Sequence, residues 1–295
     1  MGRRTNLIGW LFASPVVIGL LVFTVYPLIA SIYLSFTEYD IFNTPRWVGL
    51  RNYSTMFTQD RLFWKSLMNV LYYTAMAVPL GIAFGVILAL LLDARIKGQS
   101  IYRTLFFLPS IVPVVATSVL WMWLLNPQYG LVNSLMRAAG VPEAHVPSWL
   151  NDPAWAKPSL VFMGLWGVGG SMIIYLAGLK DVPETLYEAA LVDGANIWQR
   201  MRYVTLPMIS PVIFFNLVMG LIGSFQYFTQ AYVVTGGQGT PLDSTLFYAL
   251  YLFNQAFQYL KMGYASAMAL VLFVVVVGVT AILFKLQGKW VHYGR

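Results

Sequence analysis

Six long stretches of the chain carry no Asp, Glu, Lys or Arg: 5–37, 66–92, 104–136, 158–179, 203–242 and 262–284. A helix needs about 20 mostly apolar residues to cross the hydrocarbon core of a bilayer, and each gap is long enough for one crossing. In the third gap, Asn126-Pro127-Gln128 ends the apolar part. In the fifth, residues 235–241 have the composition of turns. The predicted helices are 8–36, 66–92, 104–125, 158–179, 208–232 and 262–284. Pro15 and Pro27 are where the first would kink. Arg3-Arg4 before an apolar run has the look of a secretory signal. The run is about twice as long as a signal's apolar region, however, and no small-x-small cleavage site closes it. A retained helix is expected. The fold class is therefore all-α: a polytopic membrane protein with six transmembrane helices. Residues 1–65 form a first helix and loop, 66–285 a five-helix core, and 286–295 a tail.

Composition agrees. Of 295 residues, 59% are hydrophobic and 10% charged, where soluble domains carry about a quarter charged. A disordered chain, a nucleic-acid-binding arm and an ordinary cytosolic enzyme are excluded. There is no cysteine, hence no disulfide, thiolate metal site or cysteine nucleophile. The net charge of +7 matters less than its distribution. With six crossings, both termini share a side. Arg3, Arg4, Arg95, Lys97, Arg103, Lys180, Arg200, Arg202, Lys285, Lys289 and Arg295 fall there, 11 of the 18 Lys and Arg. The excess places both termini in the cytoplasm. The other side holds loops 37–65, 126–157 and 233–261, where Trp47, Tyr53, Trp64, Trp149 and Trp155 suit interfacial anchoring.

Catalysis needs convergent titratable groups, and the six predicted spans contain no Asp, Glu or His. His145 lies in a loop and His292 in the tail, and no metal-ligand spacing occurs. A proton or sodium relay would put ionisable groups inside the spans. Their absence argues against a proton-coupled carrier and a voltage sensor, so energy for transport would enter through another subunit. On the fifth helix, Asn216, Gly220, Gly223, Ser224 and Tyr227 recur at helical spacing on one face, with Phe225, Gln226 and Gln230 at the polar end. The fourth carries Trp166, Gly167, Gly169, Gly170 and Ser171. Two readings stay open. Small residues let membrane helices approach closely. Alternatively, aromatic faces with hydroxyls and amides form a wall suited to a sugar. The candidate solute contacts are Trp166, Gly170, Asn216, Gly220, Ser224 and Tyr227. The lack of Arg or Lys inside the predicted spans leans toward neutral sugars.

Between the fourth and fifth spans lies the only dense group of ionisable residues, D-V-P-E-T-L-Y-E-A-A-L-V-D-G-A-N-I-W-Q-R-M-R-Y-V-T-L-P, 181–207. It reads as two short helices and a turn. Pro183 and Glu184 suit a first helical turn. Gly194 suits a C′ position with positive φ. Asn196 with Gln199 forms a capping box, and Pro207 would end the second helix. Such a compact structure suits contact with a cytoplasmic partner; the alternative is a plain amphipathic link.

Glu188-Ala189-Ala190, three residues, Gly194, nine residues, Val204, one residue, then Leu206-Pro207 resembles the EAA signature of permease subunits of binding-protein-dependent ABC importers. Val204 stands where the family often has Ile. A-G-L-K-D-V-P and E-A-A-L-V-D-G-A are similar to its carbohydrate branch, which includes permeases for maltose, lactose, multiple sugars and glycerol phosphate. Y-P-L-I-A-S-I-Y-L-S-F (26–36), R-T-L-F-F-L-P (103–109), Trp121 with G-L-V-N (130–133) and V-V-T-G-G (233–237) agree, although Gln238 replaces a usual proline. The resemblance implies a type I ABC importer fold. It implies a coupling helix seated in a cytoplasmic ATPase, with Glu188, Ala189, Ala190, Asp193, Gly194, Leu206 and Pro207 as coupling residues. It implies a second homologous permease, two ATP-binding subunits that hold ATP and Mg, and an extracytoplasmic solute-binding protein, in a bacterial or archaeal plasma membrane. Nucleic acid is not an expected partner. With no G-x-x-x-x-G-K-[ST], this chain is expected to bind no ATP itself. The alternative is a self-contained secondary carrier or channel for a small neutral solute.

Overall fold

The computed structural model describes residues 2–94 and 97–292, residues 2–9 by backbone alone. Of the charges used for orientation, Arg95, Arg295 and the side chains of Arg3 and Arg4 lie outside the described residues. The chain is mostly helical. Three helices are long and apolar enough to cross a membrane unaided, Trp10–Ser35, Arg61–Asp93 and Met262–Lys289. Three bent pairs also qualify, giving up to six crossings. The structure divides into two compact units, 1–63 with 252–275, and 64–251 with 276–295.

In the first unit, α1 (Gly2–Leu20) passes through the π-helical turn Leu21–Val25 into α2 (Tyr26–Ser35). The wide turn sits just before Pro27, whose ring would crowd the preceding carbonyl and which has no N–H to donate. Helicity continues past Pro15. After α2, strands Thr37–Glu38 and Arg46–Trp47 pair antiparallel, and α3 (Arg51–Thr58) follows. Asn52 donates to the carbonyls of Ser35 and Thr37, both at 2.9 Å. Gly263 packs beneath this loop: a Cβ there would lie 2.0 Å from the Thr37 carbonyl oxygen.

In the second unit, α4 (Arg61–Asp93) continues from residue 64. The third predicted span is broken: α5 (Gln99–Ile111) and α6 (Val114–Leu124) meet at 99°. Val112 precedes Pro113 and is extended, at φ −74°, ψ 132°, because the proline ring disfavours the helical region one residue before it. In the loop after α6, α7 (Leu131–Ala138) is held by buried Asn133, which donates to Pro147 and accepts from Trp149 Nε1 at 2.6 Å. Arg137 grips Glu143 through two 2.8 Å bonds, and these hold the Glu143 carboxyl below its usual pKa.

The fourth span comprises α8 (Pro153–Leu165) and α9 (Gly169–Lys180), bent by 50°. It starts earlier than the charge gap indicated. Asp152 caps it, accepting from Ala154 N at 2.8 Å, and Pro153 takes the first turn. The fifth span opens with α11 (Ile197–Arg200), the π-turn Met201–Thr205 and α12 (Leu206–Met208), then bends by 62° into α13 (Ser210–Phe225). The sequence expectation that Pro207 ends the helix is therefore not met: helix continues through it to Met208, and the π-turn accommodates it, as another does before Pro27. The bend comes at Ile209, because Pro211 cannot donate to the preceding turn. Nor does the span run unbroken to 232: residues 226–228 separate α13 from α14 (Thr229–Thr235). The sixth predicted helix matches α15 (Met262–Leu286).

Small residues set the helix contacts. A Cβ on Gly169 would stand 2.2 Å from the Phe106 carbonyl oxygen, whereas one on Gly170 would meet only Ser110 Cβ at 4.0 Å. Gly169→Val is therefore expected to destabilise the solubilised protein by about 3 kcal/mol or more, through overpacking against backbone that cannot yield. Gly170→Ala should stay near wild type; equal melting temperatures for the two variants would contradict this packing.

Candidate functional site

The polar face of the fifth helix has a destination. Asn216, Gly220, Gly223, Ser224 and Tyr227 all border one cavity of about 290 Å³. Opposite them stand Tyr73, Ala77, Val78, Gly81 and Ile82 of α4, a ridge at spacings that share a helix face. The third wall is Val161, Gly164 and Leu165 of α8 with Val168, Ser171 and Tyr175 of α9. The break between α8 and α9 turns both halves toward the cavity. Glycines keep its walls thin: Gly223 has open space where its Cβ would be.

No residue lining the cavity is an acid, a lysine, an arginine or a histidine. Its polar groups are neutral. Asn216 spends one amide hydrogen on the Val212 carbonyl at 2.9 Å, leaving a carbonyl oxygen for a guest. Ser224 is buried, bonded to Thr74 Oγ1 at 2.8 Å and to Leu221 O at 2.9 Å. Tyr227 donates to Gln230 Oε1 at 2.7 Å, and its ring lies against Tyr73 with centroids 4.2 Å apart. The Tyr175 hydroxyl is buried and has no hydrogen-bond partner among the described residues. An unsatisfied buried hydroxyl is costly. The Tyr175 ring fits because Gly85 faces it: a Cβ there would come within 2.9 Å of Cε2.

Of the six sequence-derived candidates, Asn216, Gly220, Ser224 and Tyr227 share the cavity and two do not. Trp166 lies in the break between α8 and α9, edge-on to Trp121 at 6.0 Å. Gly170 faces Ser110 of α5. Tyr73 and Tyr175 were not among the candidates; only pairing α4 with α9 reveals them.

At the end of the cavity away from segment 181–207, α4 and α8 carry a polar cluster. Asn69, one turn before Tyr73, is buried and donates to the carbonyls of Asp243 at 2.8 Å and Leu246 at 3.0 Å. Lys157, one turn before Val161, donates to Asn69 Oδ1 at 3.1 Å. Lys65 pairs with Asp243 at 3.6 Å.

At the other end, α10 (Glu184–Val192) is followed by Asp193 and by Gly194 at φ +76°. Ala195 N bonds Ala190 O at 2.9 Å, and Gly194 N bonds Leu191 O at 3.0 Å. This pair of bonds is a Schellman ending. Asn196 and Gln199 form the expected capping box. The top of this segment is fully presented: Val192, Ile197 and Trp198 are 88%, 70% and 69% exposed. Glu188, Ala189 and Asp193 are also exposed, and Glu188 has no ion-pair partner among the described residues. Its base is fixed. Tyr187 and Thr205 hydroxyls lie 3.0 Å apart, and Leu206 packs on a buried cluster that includes Leu179, Ile209, Met172 and Tyr175. Pro207 is half-buried beside it. One packed core thus runs from the exposed segment to the cavity wall.

Residues 81–292 match the family described as binding-protein-dependent transport system inner membrane component. The probable ABC transporter permease protein YesP of Bacillus subtilis is 47% identical over 292 residues, 99% of this chain and 94% of that protein. The lactose transport system permease protein LacF of Rhizobium radiobacter is 33% identical over 278 residues, 93% of this chain and 92% of that one. The fold is shared with a chain of the crystal structure of a bacterial alginate ABC transporter in complex with alginate pentasaccharide-bound periplasmic protein. There the TM-score is 0.85 at 22% identity, over 97% of this chain and 96% of that chain. That fold is the type I ABC importer permease fold. With a match over most of its length and relatives aligned almost end to end, this chain belongs to the family of inner-membrane permease components of binding-protein-dependent ABC transport systems.

Proposed function

We propose that this chain forms half of an alternating-access pathway through which an ATP-driven importer moves a sugar or oligosaccharide. The observation that carries this is the cavity where Asn216, Gly220, Ser224 and Tyr227 converge. Its tyrosine faces suit the apolar faces of sugar rings, and its amide and hydroxyls suit their hydroxyl groups. The naming of a 33%-identical relative as a lactose permease supports the same substrate class. Residues 66–285 would form the translocation core, with 1–65 as an added helix and loop and 286–295 as a tail. Both termini would face the cytoplasm.

The chain itself is a transport subunit, not an ATPase. Its partners would be a second permease, two ATP-binding subunits holding ATP and Mg, and an extracytoplasmic solute-binding protein. Glu188, Ala189, Ala190, Asp193 and Gly194 would contact the ATPase, while Leu206 and Pro207 anchor the contact to the core. Purified with a tag from its native membrane, the chain should bring a second permease and two copies of an ATPase. Reconstituted alone in liposomes with an ion gradient, it should show no concentrative sugar uptake. Concentrative uptake by the lone chain would establish a self-contained carrier instead.

A further inference from the structure

We infer that Lys157, with Lys65 beside it, forms a receiving site for the carboxylate of an acidic saccharide, at the cavity end remote from the coupling segment. The predicted spans stop short of both lysines, because a charge was taken to end each span. The structure puts both inside helices: α4 begins at Arg61 and α8 at Pro153. Lys157 is then one turn from Val161 and on its face, and Val161 lines the cavity. Asn69 bears the same relation to Tyr73 on α4.

Lys157 is half-buried, and no carboxylate pairs with it among the described residues. Its neighbours are neutral: Asn69 Oδ1 at 3.1 Å and the face of Tyr72 at 4.8 Å. An ammonium taken partly out of water normally keeps an anion beside it. The one acid in the cluster, Asp243, lies 3.6 Å from Lys65, which also donates to the Leu242 carbonyl. Asp152 is engaged at its own helix cap. Two lysines against one aspartate leave a single positive charge. That balance fits a carboxylate better than a phosphate monoester, which carries nearly two negative charges at neutral pH.

The site is also rigid. Leu242 and Asp243 hold left-handed backbone, at φ +48° and +57°, a conformation that costs non-glycine residues free energy. Asn69 clamps this turn by donating to the carbonyls of Asp243 and Leu246. Lys157 donates to the same Asn69, so its ammonium is aimed by a fixed partner. A guest in the cavity at the level of Tyr73 and Val161 would need to reach only one turn of helix, about 5.4 Å, to bring a terminal carboxylate toward it.

The inference rests on the saccharide reading above, and one experiment separates the two. In the native host, the gene is replaced by wild type, Lys157→Gln, Lys157→Arg or a deletion. Uptake of labelled uronic-acid disaccharides (galacturonic, glucuronic and mannuronic) and of their neutral counterparts is measured and normalised to membrane abundance. Wild type should import an acidic disaccharide. Lys157→Gln, which keeps a donor for Asn69 but no charge, should lose about tenfold or more, and Lys157→Arg should retain most uptake. Full acidic uptake by Lys157→Gln would reduce the lysine to a clamp and overturn the site. Import of neutral disaccharides alone would overturn it too, leaving the saccharide reading intact. Import of neither class by wild type would end both.

Discussion

Replacing Gly223 with leucine should stop sugar uptake while leaving the protein folded and its complex assembled. Gly223 lines the cavity and has nothing within 4 Å of where its Cβ would stand. An isobutyl group there meets no wall at its root and projects into the space a solute would use. Gly220 is a less clean probe, because its Cβ would already touch Val78 at 3.6 Å. Gly223→Ala, adding one methyl, should retain most activity. The expected loss for leucine is about tenfold or more, equivalent to about 1.4 kcal/mol or more against the occupied state. The melting temperature of the solubilised chain should move little, since no packed contact is disturbed. Solute affinity of the separate binding protein should be unchanged. Normal uptake in Gly223→Leu would mean that solute passes elsewhere, most simply through the second permease proposed above.

The order of spans was legible because charge is excluded from the bilayer core, a strong one-dimensional signal. The turn at Gly194 and the capping box at Asn196 were legible because both are local: a few residues and their backbone bonds decide them. The face of α13 that carries Asn216, Gly220, Gly223 and Ser224 was legible from helical period alone, whereas Tyr227 lies past the end of that helix. What escaped was whatever depends on a helix not being straight or not stopping where expected. A charge gap places span ends at Lys65 and Lys157, although Asp60 and Asp152 just upstream are cap residues that bond to the first turns. Assuming one straight fourth helix put Trp166 and Gly170 on the solute face. The break at 166–168 instead presents Val161, Gly164 and Leu165 on one side of it and Val168, Ser171 and Tyr175 on the other. Tyr73 was invisible because its importance comes from a neighbour more than a hundred residues away, Tyr227.

Reversing the charge at Glu188, or placing valine at Gly194, should uncouple ATP hydrolysis from transport. Glu188 is exposed and forms no ion pair among the described residues, so the folded chain gives it no internal task. Beside it lies an apolar tip, Val192, Ile197 and Trp198, too exposed to contribute to this chain's own core. A carboxylate next to an apolar tip is the composition of an interface anchor. Losing one partner of a desolvated interfacial ion pair costs about 2–5 kcal/mol, enough to lower ATPase association by more than tenfold. Gly194 acts differently. It meets nothing within 4 Å, yet its φ is +76°, so valine would suffer in the backbone, by about 1–3 kcal/mol, and not from a clash. The Schellman bonds from Gly194 N and Ala195 N would loosen, and the tip would lose its fixed aim over the core that Tyr187 and Leu206 join. Both variants should reach the membrane at normal abundance, because the six spans are untouched. Glu188→Lys should copurify with less ATPase. Gly194→Val should retain more of it but lose stimulation of hydrolysis by the sugar-loaded binding protein. Gly194→Asn, which tolerates left-handed backbone, should recover much of that stimulation. If segment 181–207 were only a solvated link, all three variants would transport normally. Abundance, copurified ATPase and stimulated hydrolysis, measured on the same preparations, decide between the two.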